Sequence, residues 1–497
     1  MRGKNKMKND NKASEKCCKQ QRRVGRYFGT DGFRGEANVS LTSMQAYKIG
    51  RFIGWYYSLP AIKGGSDTDG QSVKPRARIV IGKDTRRSSY MLEYAIASGL
   101  AASGADAYML HVITTPGVSY VTRHEDFDLG VMITASHNPF YDNGIKLINT
   151  YGEKLDDYTT SLVEDYLDGD LSELVALGLL ESGSEDLPLA VGADIGRITD
   201  YLSGRNRYIG YLISLATHSF GRLKIALDCA NGASFAIAPS VFTALGARVE
   251  VIGRDPDGLN VNLDCGSTHI ERLCELVKSG GFDMGLAFDG DGDRCIAVDN
   301  RGEVVDGDKM MYILASGMKE RGALGADVVV ATVMSNGGLD DALKKQGIDC
   351  IRTAVGDRFV YEKMKECDYH IGGEQSGHII IKKYATTGDG ILTAIMLTEE
   401  VIEKKSTLAA LAAPVEVYPQ YTVSVRVTDK ALAMSDEGVL QAIEEAKKLA
   451  GGGRVLVRAS GTEPVVRIMA ECKDEALCHE CAALVEAQMK KGGFIVG

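Results

Sequence analysis

Four short stretches of this chain combine residue types that could do chemistry together. The first is VMITASHNPFYDNGIKL, residues 131–147. A short apolar run breaks into Thr-Ala-Ser-His-Asn-Pro, so Ser136 and His137 stand just beyond a strand, with Lys146 ten residues after the serine. Asn-Pro followed by Asp-Asn-Gly is turn chemistry, and a turn is one reading. The other is a nucleophilic serine with two proton-handling neighbours. The second stretch is GLAFDGDGDRCIAVD, residues 285–299, in which Asp289, Asp291 and Asp293 alternate with glycines between two β-like runs. Alternate side chains of an extended segment share a face. Three carboxylates brought together repel unless a cation neutralises them, and hard oxygen ligands suit Mg²⁺, Mn²⁺ or Ca²⁺. A calcium-binding EF-hand begins in the same way. Its sixth position requires Gly and its twelfth Glu, whereas this chain has Arg294 and Asn300 there.

The third stretch is HIGGEQSGHIII, residues 370–381, where Glu374 and Ser376 lie on a Gly-rich loop suited to hydrogen-bonding sugar hydroxyls; a surface turn reads equally well. The fourth is RASGTEPVVR, residues 458–467. Arg458, Ser460, Thr462 and Arg467 surround Gly461, and hydroxyls, free amides and two guanidinium groups make a cradle for an anion such as phosphate. The alternative is a hairpin turn flanked by surface arginines. A serine, a metal site, a hydroxyl-reading loop and a phosphate cradle suggest phosphoryl transfer on a sugar phosphate, which needs in-line positioning and charge neutralisation more than covalent machinery. No P-loop, no G-x-S-x-G elbow around Ser136 and no dinucleotide fingerprint after a first strand is present.

These loops need scaffolds to carry them. The chain has 497 residues, 44% hydrophobic and 25% charged, enough for three or four domains at about 150 residues each. Strand, polar loop and helix recur from about residues 78, 222 and 326, which argues for α/β units. After about 415 the pattern changes to extended run, helix and two further strands. The predicted architecture is three related α/β domains followed by a smaller α+β domain, arranged around a central cleft. The segments are a disordered basic tail over 1–26, α/β domains over 27–187, 188–302 and 303–413, and the α+β domain over 414–497. A linker is expected near 180–192, and residues 64–74 read as a flexible surface loop.

Charge and cysteine usage exclude some function classes. The tail holds ten Lys or Arg against two acids, a net +8 on a chain of −10, so the body carries −18. An acidic body argues against general nucleic-acid binding. No run of about 18 apolar residues marks a membrane span, and the tail lacks the apolar core of a secretory leader. Eleven scattered cysteines suggest a reducing compartment, hence the cytoplasm. The one C-x-x-C, Cys478 to Cys481, falls in an amphipathic helical pattern and reads as helix packing, with zinc or redox chemistry the alternative.

From about Tyr27 to the end, the ordered motifs YFGTDGFRGEAN, IGKDTRRSSYMLE, TASHNPFYDNGIK, CGSTH, DGDGDR, VGDRFV, GGEQSGH and RASGTEP resemble those of the α-D-phosphohexomutases. Glu374-Gln375-Ser376 and the CGSTH at 265–269 are similar to the branch of that superfamily acting on amino-sugar phosphates. The resemblance implies that Ser136 carries a phosphoryl group and that Asp289, Asp291 and Asp293, with an oxygen on Ser136, hold Mg²⁺. It implies proton-transfer and charge-stabilising roles for His137 and Lys146. Arg34 and Arg294 would steady the phosphoserine region or the reacting oxygen. Glu374 and Ser376 would hold sugar hydroxyls, and Arg458, Ser460, Gly461, Thr462 and Arg467 the non-reacting phosphate. The implied activity exchanges glucosamine 6-phosphate and glucosamine 1-phosphate through a 1,6-bisphosphate, supplying UDP-N-acetylglucosamine synthesis, in a possible homodimer. Alternatives are a mutase for neutral hexose phosphates, a metal-dependent sugar-phosphate phosphatase and a non-catalytic sugar-phosphate sensor.

Overall fold

The computed structural model describes residues 25–29, 32–63, 76–460 and 464–496. Most of the basic tail, the loop at 64–74, Gly461 and Thr462 lie outside these residues. The end of the tail is described, and it is anchored: the Arg26 guanidinium pairs with Asp165 and Asp168. The chain divides into two compact units. One comprises residues 1–296 with 384–395, the other residues 297–383 with 396–497.

The first unit contains two sheets. Strands β1 (Phe28–Gly29), β2 (Gly32–Glu36), β3 (Arg78–Lys83), β4 (Asp106–Val112), β5 (Leu129–Ile133), β6 (Asp142–Asn149) and β7 (Ile198–Asp200) form one sheet in the order β1-β2-β6-β5-β3-β4-β7. β5, β3, β4 and β7 run parallel, while β6 folds back antiparallel to β5. β3 and β5 are buried along almost their whole length, so both read as continuous apolar runs rather than as alternation. The helix Ser43–Tyr57 opens on a capping box between Thr42 and Gln45 and packs against the helix Arg87–Ala102. β7 pairs with β4, so this sheet extends past residue 187. In the second sheet β8 (Lys224–Asp228) lies between β9 (Arg248–Ile252) and β10 (Met284–Phe288), all parallel.

The chain passes to the second unit within β11 (Cys295–Asp299), which pairs antiparallel with β12 (Val304–Val305). There β13 (Val328–Thr332) runs parallel to β14 (Asp349–Thr353) and β15 (Ile371–Gly373), and β16 (Ile379–Ile381) turns back on β15. The last sheet is wholly antiparallel, with β19 (Val465–Glu471) between β17 (Gln420–Arg426) and β18 (Arg454–Ala459). Helices Glu437–Leu449 and Glu475–Lys491 cover it. Cys478 and Cys481 are buried in the second of these helices. Their thiols face the carbonyls of Pro419 and Ala446 at 3.2 and 3.5 Å, as the packing reading expects. Three α/β layers and an antiparallel α+β layer therefore follow one another as predicted. Among the described residues no helix is long and apolar enough to cross a membrane.

Candidate active site

Ligands of α/β sheets bind beyond the carboxyl ends of the strands. Here those ends carry the loops singled out above. Ser136 follows β5, the aspartate loop follows β10, and Glu374 follows β15.

Ser136 sits in a turn, as one reading of its stretch expects, and its hydroxyl faces acidic and basic side chains. Its backbone has φ +53°, left-handed and uncommon for a residue with a side chain. Its hydroxyl donates to Asp289 Oδ2 over 2.7 Å, and His137 Nδ1 lies 3.2 Å from the serine Oγ. The lysine ten residues on is brought back by the hairpin: Lys146 on β6 pairs with Met132 on β5. Its ammonium stands 2.7 Å from Asp291 Oδ2 and 3.4 Å from Asp293 Oδ2. Arg34 on β2 pairs with Gly144 on the other side of β6 and donates to Asn138 Oδ1 over 3.3 Å, beside the serine loop.

The three aspartates converge, with one carboxylate oxygen of each within 4.8 Å of the others, and all are buried. They do so differently from the extended alternation expected. Residues 289–294 form a tight turn between β10 and β11, with Gly292 at φ +70°. The turn, rather than a pleat, gathers the carboxylates. Burial, then the charges of Asp293 and Asp291, push the Asp289 carboxyl well above its ordinary range. Asp291 Oδ1 is buried without a hydrogen-bond partner among the described residues. An orphaned anionic oxygen inside a triad of carboxylates is the donor set of a hard divalent cation. Arg294 closes the turn, its amide donating to Asp289 Oδ1 over 3.2 Å and its Nε 3.9 Å from Asp293 Oδ1. Burial, with repulsion from Arg294 and Arg34, lowers the His137 imidazole to about 4, so it is neutral at neutral pH.

Sequence reasoning missed several side chains of this site. Thr115, at the head of the helix Thr115–His124, donates its hydroxyl to Asp291 Oδ2, and its amide donates to Asp291 O over 2.9 Å. Asn262 Nδ2 donates to the carbonyl of Ser136 over 2.8 Å. Buried Arg86 reaches the same carbonyl. Arg86 lies within the motif IGKDTRRSSYMLE, but no sequence signal assigned it, Thr115 or Asn262 to the site.

The remaining predicted residues lie in the second unit. The Glu374 carboxylate accepts the amide of Gly356 over 3.0 Å, and Ser376 is exposed at the tip of its loop. Gly307 donates its amide to Gln375 O over 2.9 Å, and a Cβ at Gly307 would collide with Glu374 O, so glycine there lets the two backbones meet. Arg458 on β18 pairs directly across from Arg467 on β19. Burial and then the Arg467 charge lower the Arg458 guanidinium from its ordinary value. Like charges facing each other across strands destabilise a sheet, and an anion between them reverses the sign. Ser460 is buried beside them, and Lys430 Nζ, which the sequence did not single out, donates to its carbonyl over 2.7 Å.

Models of the phosphoglucomutase/phosphomannomutase family match the chain in order. Alpha/beta/alpha domains I, II and III match residues 25–173, 206–302 and 306–418, and the C-terminal domain matches 423–488. The chain belongs to that family. A phosphoglucosamine mutase from Lachnospira eligens is 53% identical over 474 residues, 95% of this chain and 100% of that protein. Among solved structures, a phosphoglucomutase/phosphomannomutase family protein from Burkholderia thailandensis superposes with a TM-score of 0.71 at 21% identity, covering 95% of this chain and 98% of that one. The N-acetylphosphoglucosamine mutase of Aspergillus fumigatus, solved with GlcNAc-6P and magnesium, superposes with a TM-score of 0.63 at 18% identity, covering 97% and 99%.

Proposed function

We propose that this chain is an isomerase of amino-sugar phosphates, exchanging glucosamine 6-phosphate and glucosamine 1-phosphate through a phosphorylated Ser136. One observation carries the reading: the Ser136 hydroxyl is hydrogen-bonded to one member of a buried aspartate triad. The near-complete identity span with a phosphoglucosamine mutase supports the choice of sugar.

In the forward direction phospho-Ser136 gives its phosphoryl group to the C1 hydroxyl of glucosamine 6-phosphate, leaving glucosamine 1,6-bisphosphate and a free serine. The bisphosphate then turns around, its 6-phosphoryl group passes to the Ser136 oxygen, the C6 oxygen takes up the proton given up by the serine, and glucosamine 1-phosphate departs. Before that transfer the Ser136 Oγ proton must leave, and two acceptors are in reach, Asp289 Oδ2 at 2.7 Å and neutral His137 Nδ1 at 3.2 Å. Lys146, Arg34 and Arg294 bring positive charge to the transferring group. Asp289, Asp291 and Asp293, with an oxygen on Ser136, are the residues to hold Mg²⁺; the ion supplies charge neutralisation and Lewis-acid polarisation when bound. Glu374 and Ser376 would take the sugar hydroxyls. Arg458, Ser460, Gly461, Thr462 and Arg467 would take the phosphate that is not reacting. The described cysteines, Cys229 to Cys481, are all free, which supports a cytoplasmic location.

The test pairs intact-mass measurement with a comparison of sugars. Incubation with a hexose 1,6-bisphosphate should add one phosphoryl group to the wild-type chain and none to Ser136→Ala. Turnover should favour glucosamine phosphate. A preference of ~100-fold in kcat/KM for glucose or mannose phosphate, about 2.7 kcal/mol of transition-state discrimination, would reject the amino sugar.

A further inference from the structure

Arg86 is fully buried, and all five of its N–H groups point at the loop of Ser136 or at its anchor. Nη2 donates to the carbonyl of Ser136 over 2.9 Å and to that of Asn138 over 2.8 Å. Nη1 donates to Pro139 O and, over 3.1 Å, to Asp142 O. Nε donates to Asp84 Oδ2 over 2.8 Å. Asp84 is the anchor. It also accepts the hydroxyls of Ser89 and Thr134, at 2.7 and 2.8 Å. Thr134 Oγ1 in turn accepts the Ser136 amide over 2.9 Å.

The peptide groups on both sides of the Ser136 Cα are therefore tied to one buried ion pair, the amide through Thr134 and the carbonyl directly. Asn262 Nδ2 adds a second donor to the Ser136 carbonyl at 2.8 Å and reaches the Asn138 carbonyl at 3.2 Å. The Ser136 carbonyl also meets Gly290, where a Cβ would collide with it. Tethers of this number hold a left-handed backbone that a serine does not favour, and that backbone sets the direction of Cβ and Oγ toward Asp289.

We infer that Arg86 is a positioning residue for phosphoryl transfer: itself fully buried, it fixes the backbone that aims the Ser136 oxygen. The inference rests on the reading of Ser136 as phosphoryl carrier. A guanidinium is needed because its planar fork spans four carbonyls and a carboxylate at once, whereas an ammonium offers three tetrahedral donors from a single point.

Arg86→Met and Arg86→Lys test it, with rates referred to folded protein from circular-dichroism melts. The loading of Ser136 by a hexose 1,6-bisphosphate, followed by intact mass, should slow by ~100-fold in both, the order of loss for a misaimed reacting atom. KM for sugar phosphate should stay within about threefold of wild type, and lysine should not rescue. A folded variant that loads at near wild-type rate, or that loses only KM, overturns the inference. Should neither variant fold, Asn262→Leu decides, because it removes the second donor to the same carbonyl. It should slow loading by about tenfold at unchanged KM, and wild-type loading overturns the inference. A wild-type chain that takes no phosphoryl group at Ser136 overturns the carrier reading itself, and this inference with it.

Discussion

Lys146 Nζ lies 2.7 Å from Asp291 Oδ2, an ion pair buried at the carboxyl end of its sheet. The ammonium therefore occupies part of the charge deficit that a divalent cation would fill. Lys146→Met leaves the buried Asp291 and Asp293 without their paired ammonium, at a cost of about 3–5 kcal/mol to the metal-free protein. Added Mg²⁺ should then raise the melting temperature of the variant more than that of wild type. Turnover should fall by ~100-fold or more. An equal or smaller thermal response would show that the lysine does not compete for those oxygens.

Thr115 supplies the hydroxyl on Asp291 Oδ2. Thr115→Val keeps the shape and removes that donor. Groups that hold a metal's ligands in place typically contribute 10–100-fold in affinity. The Mg²⁺ concentration for half-maximal activity should rise by about tenfold, with the maximal rate at saturating Mg²⁺ close to wild type. A lowered maximum with an unmoved Mg²⁺ requirement would place Thr115 elsewhere in the chemistry.

The arginine pair on the last sheet makes a prediction of mixed sign. Arg458 and Arg467 face each other across β18 and β19. Arg467→Gln removes a like-charge repulsion worth a few tenths of a kcal/mol, so the ligand-free protein should be as stable or slightly more so. Losing a charge-assisted bond to phosphate costs about 1.5–3 kcal/mol, so KM for sugar phosphate should rise by about 10–100-fold. Calorimetry without ligand and steady-state kinetics read the two effects separately. Loss of stability with KM unmoved would make the pair a structural feature only.

A pH effect belongs to the second unit. Asp308, in the first turn of the helix Gly307–Glu320, accepts the Asn336 amide over 2.7 Å, and its Oδ1 has no partner among the described residues. Burial, with repulsion from Asp306, pushes its carboxyl up to about 7. A carboxyl raised on folding binds protons that the unfolded chain has released. Its contribution to stability is thus lost as pH rises from about 4 to about 7 and is constant above, by at most about 4 kcal/mol. Asp308→Asn mimics the protonated form, so melts of the two proteins should diverge in favour of the variant over that window. A difference that stays flat with pH would reject the shift.

What is legible in the sequence follows how local the chemistry is. Asp289, Asp291 and Asp293 are neighbours in sequence, so their convergence was readable even though a turn, not strand alternation, produces it. Ser136 and Lys146 were readable because a single hairpin joins them. Arg86, Thr115 and Asn262 were not. Their contacts to the site cross 50, 176 and 126 residues, and nothing in a lone arginine, threonine or asparagine names so distant a partner. The run of α/β layers was legible from periodicity, whereas the return of β7 to the first sheet was not. Three exposed residues at a sheet edge carry almost no hydrophobic signal.

The left-handed backbone at position 136 also restricts which amino acids can serve there. A side chain branched at Cβ is strained in that conformation. Threonine, the other aliphatic hydroxyl that can carry a phosphoryl group, is therefore a poor substitute here, while asparagine, which tolerates the geometry, would fit the turn with no oxygen nucleophile to phosphorylate. On the reading of Ser136 as phosphoryl carrier, the loop selects that residue by shape before chemistry begins.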